Sequence, residues 1–407
     1  MKIAILTSGI LPIPAVQGGA VETLVDHYLD YNNKHRLHDI TVISVYHPSV
    51  ESHPALQSDV NHYQYVHTTS LFAKLRKHIH RIIHPYTYYH YSIDFFLRQA
   101  LSIIKKDDFD CIILENRPGF ALQLRDVTKA KLVYHLHNDF LNCETPQCRD
   151  IYQAATRIIT VSDYISRRVR TCNQESSMVN GQSSTVNGQC SMVNYDKCVT
   201  VYNGIDVSAF EATPVTRQSL GYDDSDFILA FSGRLIREKG IMELIEAMNI
   251  LKDEPRIKLL VMGNSFYANA SGEDPFISEL KSRAVQLGDR IKFTGYISHA
   301  KIPSYLRMCD AAVIPSTWEE PFGLTVLEAM AARLPIITTD RGGIPEIVTS
   351  RNAIVIPLSE DFVSDLSRYI ISLFRDDERR KSMGDESRQL ALRYTSEEYA
   401  KNFFAAI

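Results

Sequence analysis

The chain has 407 residues, of which 45% are hydrophobic and 23% are charged. These fractions are typical of soluble globular proteins, and the length suits two domains that each bury a core. The formal net charge is −4, from 44 basic and 48 acidic side chains. A chain so close to charge balance lacks the basic excess of nucleic-acid-binding proteins, so no nucleic-acid partner is expected.

Residues 1–8 form a short apolar segment that is followed by glycine and proline. It is too short for the core of a signal peptide or for a membrane span, and no later run reaches spanning length. The 7 cysteines are odd in number and scattered, so we expect reduced thiols and a cytoplasmic location. They are Cys111, Cys143, Cys148, Cys172, Cys190, Cys198 and Cys309.

Apolar segments of strand length alternate with helical patterns along most of the chain. The first series of predicted strands comprises Ile3–Thr7, Ile40–Val45, Cys111–Leu114, Lys131–Leu136, Arg157–Val161 and Cys198–Val201. The second series comprises Phe227–Phe231, Ile257–Met262, Ile291–Phe293, Ala311–Ile314, Pro335–Thr338 and Ala353–Ile356. Short strands alternating with helices predict parallel sheets, and two such series predict an α/β protein with two Rossmann-like domains.

Two acidic residues, Glu320 and Glu328, flank a Pro-Phe-Gly turn after the predicted strand Ala311–Ile314. The segment is predicted as strand, loop and helix, and open α/β sheets bind ligands at the carboxyl ends of their strands. A carboxylate at a strand end suits sugar hydroxyls, and one on the following helix suits a ribose diol. The alternative is that both acids are solvated residues that favour the positive N-terminus of the helix.

Three further motifs accompany residues 318–330. They are Val201–Asp206, Ser232–Gly240 and Thr338–Glu346. The four motifs stand in the order found in retaining glycosyltransferases of family 4, and the C-terminal half of the chain resembles that family. The N-terminal half is similar more loosely. The resemblance implies the GT-B fold, in which two Rossmann-like domains with parallel sheets face each other across a cleft.

The resemblance also implies a division of the chain. Residues 1–204 would form the N-terminal acceptor-side domain, residues 205–388 the nucleotide-sugar-binding domain, and residues 389–407 a C-terminal helix that crosses back to the N-terminal domain. Residues 172–196 contain near-repeats of a polar, glycine-containing sequence at 177–194. Because the repeat has no apolar stripe it is not a coiled coil, and we expect a flexible surface insertion.

Arg234 and Lys239 follow the predicted strand Phe227–Phe231. Retaining glycosyl transfer passes through an oxocarbenium-like state while a nucleoside diphosphate leaves, so the phosphate charge must be neutralised. Arginine offers a planar fork of donors and lysine a mobile point charge. The Gly-Arg-x4-Lys-Gly spacing therefore favours diphosphate binding over the alternative of two solvated cations.

The resemblance implies roles for the remaining residues of the donor site. Glu320 would bind the donor sugar and Glu328 the ribose hydroxyls. The residues whose backbone or side chain would approach sugar or phosphate are Phe322, Gly323, Leu324 and Thr325. Gly263 and Tyr296 follow strand ends and would frame the base, and Asn203 is a substrate-binding residue of the motif at the domain boundary. The expected catalytic residues are His137, Glu320, Arg234 and Lys239.

The N-terminal half contributes a glycine pair and a histidine pair. Gly18 and Gly19 open a predicted helix after a proline-containing loop, where glycine lets the backbone approach a ligand. His135 and His137 alternate at the end of a predicted strand and so share one side of it. The family carries a strand-end histidine near the donor sugar; we choose His137 for that role, with His135 second. The alternative is a hydrogen-bonded structural histidine.

No metal is expected, because the Asp-x-Asp pattern of metal-dependent sugar transferases does not follow any predicted strand. Arg234 and Lys239 would do the work of the metal. The chain then needs no cofactor besides its nucleotide diphosphate sugar donor, for which a UDP-sugar is favoured over a GDP-sugar.

A basic amphipathic stretch covers residues 71–84. Its apolar face comprises Phe72, Leu75, Ile79 and Ile82, and its basic residues include Lys74, Arg76, Lys77 and Arg81. Such a stretch suits adsorption to an anionic membrane surface, here the inner face of the membrane. The alternative is a helix that packs on the sheet and exposes a solvated basic face.

These patterns predict a cytoplasmic, metal-independent, retaining glycosyltransferase of the hexosyltransferase type. It would move a sugar from a nucleotide diphosphate sugar to a glycan or lipid-linked acceptor in surface polysaccharide biosynthesis. Two alternatives stay open at this stage. One is another GT-B enzyme, such as a nucleotide-sugar epimerase or a phosphorylase, and the other is a non-catalytic subunit of a transferase complex.

Overall fold

The computed structural model describes residues 1–68, 91–173, 197–264 and 274–407 of the chain. The chain folds into two compact units. The N-terminal unit comprises Met1–Tyr202 together with Tyr399–Ile407, and the C-terminal unit comprises Asn203–Glu398. Each unit is a parallel α/β sheet with helices packed on it, as the alternation of strands and helices predicts.

The N-terminal unit is built on a parallel sheet that has seven strands in the described residues. They are β1 (Lys2–Leu6), β2 (Asp39–Val45), β3 (Asn61–Val66), β4 (Cys111–Glu115), β5 (Lys131–Leu136), β6 (Arg157–Thr160) and β7 (Cys198–Thr200). Their order is β3-β2-β1-β4-β5-β6-β7. The strand order reverses between β1 and β4, and doubly wound sheets bind ligands at such a switch point.

The sequence patterns do not predict β3. In the part of the chain that the structure describes, this strand lies at the edge of the sheet and pairs only with β2. Its sequence includes Asn61, His62 and Gln64, and its residues alternate between buried and exposed positions. An edge strand tolerates polar residues, whereas an interior strand such as β1 is continuously apolar after Lys2 because helices cover both faces of the sheet.

The helices of the N-terminal unit that precede β7 are α1 (Ala20–His35), α2 (Tyr91–Ile104), α3 (Ala121–Leu124), α4 (Cys148–Ala154) and α5 (Asp163–Arg170). The chain enters α1 directly after the loop that follows β1, so this helix begins at the switch point. Its residues Leu24, Val25 and Tyr28 are buried against the sheet.

The C-terminal unit repeats this architecture with six strands in the described residues. They are β8 (Phe227–Ser232), β9 (Ile257–Met262), β10 (Ile291–Gly295), β11 (Ala311–Ile314), β12 (Ile336–Thr339) and β13 (Ala353–Ile356). Their order is β10-β9-β8-β11-β12-β13, and all neighbours pair in parallel. The switch point of this sheet lies between β8 and β11.

The remaining helices are α6 (Ile241–Ile250), α7 (Pro275–Ala284), α8 (Ile302–Leu306), α9 (Leu324–Ala331), α10 (Phe362–Phe374), α11 (Asp377–Ala391) and α12 (Ser396–Ala406). In α6 the apolar residues at helical spacing, Ile241, Leu244, Ile245 and Met248, are all buried. They belong to the hydrophobic core of the unit, which also includes residues of β8, β9 and α10.

The predicted terminal helix over residues 389–407 is wrong in its extent, because two helices meet within that range. Helix α11 ends at Ala391 and α12 begins at Ser396. Backbone hydrogen bonds to Ile205 hold the intervening residues. The amide of Ile205 donates to the carbonyl oxygen of Tyr394, and the amide of Ser396 donates to the carbonyl oxygen of Ile205 at 2.8 Å. These bonds compete with the helical pattern and interrupt it. Residues from Tyr399 onward belong to the N-terminal unit.

Two sequence predictions concern segments outside the described residues. These are the basic stretch at 71–84 and the polar insertion from residue 174 to 196. Within the described part of the chain, six cysteines are present as free thiols. No helix there is both long enough and apolar enough to cross a bilayer.

Candidate functional site

The loops after β8 and β11 meet at the switch point of the C-terminal sheet. The first passes through a 3-10 turn at Arg237–Lys239 and continues to Gly240, whose φ is 69°. A Cβ on Gly240 would lie 1.8 Å from the carbonyl oxygen of Pro315, so only glycine permits this approach. The amide of Thr317 also donates to the carbonyl oxygen of Glu238 at 2.9 Å. These contacts fix the two loops against each other.

Lys239 and Glu320 form an ion pair at this junction. Lys239 Nζ lies 2.5 Å from Glu320 Oε1, and the two side chains are 17% and 7% exposed. The hydroxyl of Ser316 donates to the same carboxylate oxygen at 2.6 Å. Lys239 Nζ also lies 5.6 Å from the centroid of the Trp318 ring. The interpretation of Glu320 as a solvated acid is therefore wrong, since the tertiary structure buries it and gives it partners.

Arg234 follows β8 on the same loop as Lys239. Its side chain is exposed and makes no hydrogen bond or ion pair with the described residues. The loop therefore carries two cations that are paired with carboxylates, Lys239 and Arg237, and one, Arg234, that is available to an anionic ligand.

The glycine pair 342–343 holds the backbone of Glu320. The amide of Gly343 donates to the carbonyl oxygen of Glu320 at 2.7 Å. Gly342 has a φ of 59°, and a Cβ there would lie 2.0 Å from that oxygen. The amide of Gly342 donates to the Glu319 carboxylate at 2.6 Å. The loop after β12 thus fixes the residue that carries the buried carboxylate.

Helix α9 begins beside this loop, directly after the Pro-Phe-Gly turn. Gly323 adopts a φ of 104° at the start of the helix, and no side chain caps it. The Phe322 side chain is buried, so it anchors the turn in the core. The first amides of the helix, including those of Leu324 and Thr325, have no partner within the helix and give its start a positive potential.

Glu328 lies on α9 and contacts a residue that the sequence analysis did not single out. Its Oε1 is 3.0 Å from His299 Nε2, and the Glu328 side chain is 11% exposed whereas that of His299 is 68% exposed. The hydrogen bond to Glu328 raises the pKa of His299 above its usual value, against the opposing effect of burial. The interpretation of Glu328 as a solvated acid is also wrong.

Three other predicted residues of this unit lie in different surroundings. Gly263 has a φ of 146°, and a Cβ there would lie 1.8 Å from the carbonyl oxygen of Gly233, so the close approach of two loops requires glycine. Tyr296 follows β10 and is 49% exposed. Asn203 is buried, and its Oδ1 has no hydrogen-bond partner in the described part of the chain. None of these contacts joins them to the Lys239–Glu320 pair.

In the N-terminal unit, Gly18 and Gly19 lie at the start of α1. Both have a positive φ, 75° and 109°. A Cβ on Gly19 would lie 2.2 Å from Oε2 of Glu22, whereas none of the surrounding atoms lies within 4 Å of one on Gly18. Burial raises the pKa of Glu22 to about 7. The glycines are thus explained by backbone conformation, and Gly18 leaves open space beside the helix start.

His135 and His137 lie at the end of β5 and share one carboxylate, that of Glu115 at the end of β4. His135 Nδ1 lies 3.1 Å from Glu115 Oε1, and His137 Nε2 lies 2.9 Å from Glu115 Oε2. Tyr28 Oη donates to Glu115 Oε1 at 2.8 Å. His135 is fully buried against the Phe403 ring at 4.9 Å, and His137 is 6% exposed. We call these four hydrogen-bonded side chains, Tyr28, Glu115, His135 and His137, the Glu115 network.

The Glu115 network holds a negative charge in a fully buried position. Burial opposes ionisation of Glu115, but its hydrogen bonds and electrostatic interactions with His135 and His137 outweigh it and hold the pKa of the carboxyl well below its usual range. Burial, together with the neighbouring His135, lowers the pKa of His137 to about 4. At neutral pH the network therefore contains a carboxylate and a neutral His137.

Three members of the network, Glu115, His135 and His137, have potential metal-ligand atoms within 4.8 Å of one another. They are the one such set in the described part of the chain. A metal on His135 Nδ1 and His137 Nε2 would place protons on the opposite ring nitrogens, and metal-bound histidines normally donate that proton to an acceptor. Those two nitrogens are buried and have no partner among the described residues. The donor set thus fits hydrogen bonding better than metal binding.

Sequence reasoning missed Glu115 and His299. Glu115 had a usable signal, because it is a carboxylate that directly follows a predicted interior strand. His299 had none, since its partner lies on a different element and 29 positions away in the chain.

Comparison with known proteins connects these sites with a family. Residues 213–390 match the family described as Glycosyl transferases group 1. The putative glycosyltransferase YtcC of Bacillus subtilis is 27% identical over 403 residues, which cover 96% of this chain and 87% of that protein. A GDP-mannose-dependent monoacylated alpha-(1-6)-phosphatidylinositol monomannoside mannosyltransferase of Corynebacterium glutamicum is 31% identical over 198 residues, 46% of this chain and 49% of that protein.

The fold as a whole also matches solved structures. Anabaena Alr3699/HepE in complex with UDP aligns with a TM-score of 0.70 at 19% identity, and the match covers 100% of this chain and 99% of that one. The two Rossmann-like units have the GT-B fold. With the match to the Glycosyl transferases group 1 model in its C-terminal unit and a glycosyltransferase relative along most of its length, the chain is a glycosyltransferase. This identification favours a transferase over the epimerase and the non-catalytic subunit.

Proposed function

We propose that the chain transfers a sugar from a nucleotide diphosphate sugar to a glycan or lipid-linked acceptor, with retention of the anomeric configuration and without a metal. The observation that carries the proposal is the Lys239–Glu320 pair at the switch point, with Arg234 on the same loop. Glycosyl transfer separates charge between a leaving diphosphate and a sugar that becomes positive. The site supplies cations for the first and a carboxylate for the second.

Arg234 and Lys239 bind the diphosphate in this proposal. The Arg234 side chain is exposed and makes no hydrogen bond or ion pair with the described residues, so it can bind a phosphate without breaking one. Lys239 is held by Glu320 and by the Trp318 ring, which keeps its side chain ordered in the absence of ligand. The amides at the start of α9, from Gly323 onward, add positive potential for the same phosphates.

Glu328 binds the ribose diol. One of its oxygens is hydrogen-bonded to His299, and that contact holds the carboxylate in one orientation while lone pairs remain for ribose hydroxyls. Tyr296 and Gly263 would flank the base, since they follow neighbouring strands β10 and β9. The exposed ring of Tyr296 offers a surface on which a base can stack.

Glu320 and His137 carry the sugar side of the reaction. The buried Glu320 carboxylate recognises donor sugar hydroxyls and stabilises the positive sugar ring, and His137 accepts a sugar hydroxyl. Retention and membership of family 4 rest on the resemblance of the four sequence motifs, with Gly18, Gly19 and Asn203 as further substrate-binding residues. Comparison of the anomeric configuration of donor and product by NMR tests retention, since an inverted product would contradict it.

A UDP-sugar is our proposed donor. The support is the similarity of the whole fold to a protein solved with UDP. The mannosyltransferase relative is named for GDP-mannose, but its similarity covers only 46% of this chain. A lipid-linked or glycan acceptor in surface polysaccharide biosynthesis agrees with that relative, which is named for a phosphatidylinositol mannoside acceptor.

We further propose that the protein is cytoplasmic and adsorbs to the inner face of the membrane through the basic stretch at 71–84. Four basic residues beside an apolar helical face suit an anionic surface, and a lipid-linked acceptor would be found there.

A panel of UDP- and GDP-sugars tests the donor proposal. We expect one UDP-sugar to raise the melting temperature of the protein and to be slowly hydrolysed in the absence of acceptor. Arg234→Ala should lose both effects and keep the unliganded melting temperature, because the exposed side chain makes no hydrogen bond or ion pair with the described residues. Stabilisation by GDP-sugars alone would replace the UDP assignment, and failure of every nucleotide sugar to bind would contradict the proposed function.

A further inference from the structure

The proposed reaction gives no role to Glu115, the buried carboxylate of the Glu115 network. It is 1% exposed, and its carboxylate receives three donors: Tyr28, His135 and His137. It ends β4, next to β1 across the switch point of the N-terminal sheet. Burying a carboxylate is costly even when it is hydrogen-bonded, so its retention at a ligand-binding edge points to a use.

The geometry determines which ring nitrogen of His137 carries the proton. An ionised carboxylate can only accept hydrogen bonds, so the nitrogen that faces it must be protonated. That nitrogen is His137 Nε2, which lies 2.9 Å from Glu115 Oε2. The ring is neutral at pH 7, because burial lowers its pKa to about 4. Its Nδ1 is therefore an unprotonated acceptor.

The backbone of the histidine is fixed as well. The amide of His137 donates to Asn116 Oδ1 at 3.1 Å, and the amide of Asn116 donates to the carbonyl oxygen of His135 at 2.8 Å. Asn116 follows Glu115 directly, so two consecutive residues at the end of β4 hold His137. Asn116 holds its main chain, and Glu115 holds its ring. The ring has no freedom to turn over without losing its charged partner.

The unpartnered Nδ1 of His137 is the observation that points to a ligand. The His137 residue is only 6% exposed, and its Nδ1 is buried without a hydrogen-bond partner among the described residues. A buried acceptor without a donor costs free energy, and such groups in native proteins generally have an explanation. A hydroxyl group of a sugar is a donor that suits this atom.

Among the groups around the His137 ring, Glu115 favours the charged form, whereas burial and His135 favour the neutral form and outweigh it, so the pKa is lowered. On the α12 side, Tyr399 and Phe403 contact the His135 ring of the network. Glu22 on α1 interacts with Glu115 and has its pKa raised by burial to about 7. Tyr28 and Tyr399 also have raised pKa values because they are buried. Glu115 thus supplies the ionised carboxylate of the network.

We propose that Glu115 is a positioning residue: it fixes His137 as the Nε2–H tautomer, so that Nδ1 accepts a hydrogen bond from a hydroxyl of the sugar substrate. The proposal rests on the proposed function, in which His137 accepts a sugar hydroxyl. It adds that the enzyme recognises this hydroxyl as a donor, so a sugar lacking it, or carrying an ether or fluorine there, leaves Nδ1 unpaired.

Histidine NMR on the full-length wild-type chain tests the tautomer without any change to the network. The chain has 14 histidines, and the spectrum of His137→Gln assigns the signal of interest by its loss. We expect the nitrogen shifts of a neutral Nε2–H imidazole between pH 6 and 8. An Nδ1–H tautomer, an imidazolium, or a metal-bound pattern that EDTA abolishes would each overturn the proposal.

Kinetics of Glu115→Gln test the consequence. Glutamine keeps the shape of the side chain, but only its amide oxygen can accept a hydrogen bond, so only one of the two histidines keeps an acceptor. We therefore expect kcat for sugar transfer to fall about tenfold to a hundredfold, as for loss of a charged hydrogen bond. UDP affinity should stay unchanged, because the Arg234–Lys239 loop lies in the other unit. Tyr28→Phe is the matched control: it removes a neutral donor from the same carboxylate and should leave the tautomer signal in place.

Different results would contradict the role of His137 and the positioning role of Glu115. If the wild type transfers sugar and His137→Gln leaves its rate intact, the role given to His137 in the proposed function is wrong. If His137→Gln abolishes transfer but Glu115→Gln keeps both the wild-type kcat and the wild-type tautomer, the positioning role is wrong. If Glu115→Gln does not fold, the wild-type spectrum decides on its own.

Discussion

Lys239 Nζ lies 2.5 Å from Glu320 Oε1, which joins two residues 81 positions apart that the sequence assigns to different parts of one substrate. The contact arises because β8 and β11 are neighbours at the switch point, and each residue stands on the loop that follows one of these strands. The carboxylate therefore orients the lysine and also offsets part of its positive potential before the donor binds.

The first prediction concerns nucleotide affinity. Lys239→Ala and Glu328→Ala should each weaken UDP binding, because they remove the expected phosphate and ribose contacts. A charge-assisted contact is worth roughly 1.5–3 kcal/mol, which corresponds to about tenfold to over a hundredfold in affinity. Calorimetry measures the effect. Arg237→Ala is the control, since this neighbouring cation is 66% exposed and pairs with Glu279; unchanged affinity in both site variants would rule out the assignment.

The ion pair predicts an opposite effect for its acidic member. Glu320→Gln keeps an acceptor for the Ser316 hydroxyl but releases Lys239 from its counter-charge, so UDP should bind more tightly. A partly buried ion pair contributes on the order of 1 kcal/mol, or about fivefold in affinity. Sugar transfer should fall at the same time, because the amide cannot stabilise a positive sugar ring. Weaker UDP binding in this variant would show that Glu320 does not compete for the lysine.

Metal removal should leave the reaction intact. If Arg234 and Lys239 neutralise the diphosphate, treatment of the enzyme with EDTA followed by dialysis will not change kcat or KM for the donor. Added manganese or magnesium should likewise have no effect. Loss of turnover in EDTA with recovery on adding one of these cations would contradict metal independence.

The His299–Glu328 contact predicts a dependence of stability on pH. The contact raises the pKa of His299 above 6.5, so its stabilisation is fully present below pH 6.5 and is lost as the pH rises through the raised value. We expect the coupling energy from the His299→Ala, Glu328→Gln double-mutant cycle to be larger at pH 5.5 than at pH 9. The His299 side chain is 68% exposed, so the coupling should not exceed about 1 kcal/mol. Equal coupling at both pH values would contradict a charged His299.

Membrane adsorption predicts a charge-specific effect of the basic stretch. Changing Arg76, Lys77 and Arg81 together to Ser should detach the enzyme from anionic vesicles, at about 1 kcal/mol per basic residue near the surface. Activity on a short soluble acceptor should survive. Cosedimentation at low and high salt measures the binding.

The control variant for that experiment changes three exposed lysines elsewhere in the N-terminal unit, Lys105, Lys106 and Lys129, to Ser. It alters the net charge equally, so it should sediment like the wild type. If both variants lose binding to the same extent, or the wild type fails to bind at low salt, the stretch has no specific role at the membrane.

The local features of this chain follow from the sequence by itself. Interior strands such as β11, and β1 after Lys2, are continuously apolar, because both faces of a parallel sheet are covered, and that pattern is visible without a structure. The placement of Arg234, Glu320 and Glu328 after strand ends is equally local, since it depends only on residues within the same strand–loop–helix segment. The amphipathic helix α6 is determined in the same way.

Contacts between distant elements were decided by the tertiary structure. The sequence cannot place Glu115 against His137, or His299 against Glu328, because these pairs depend on which strands and helices become neighbours. The sequence pattern also does not predict β3, since an edge strand pairs on one side only and so tolerates polar residues. Strand order sets these neighbours, and it results from packing whole elements around a core rather than from any single segment. The motifs therefore locate the candidate groups along the chain, and the fold determines their partners.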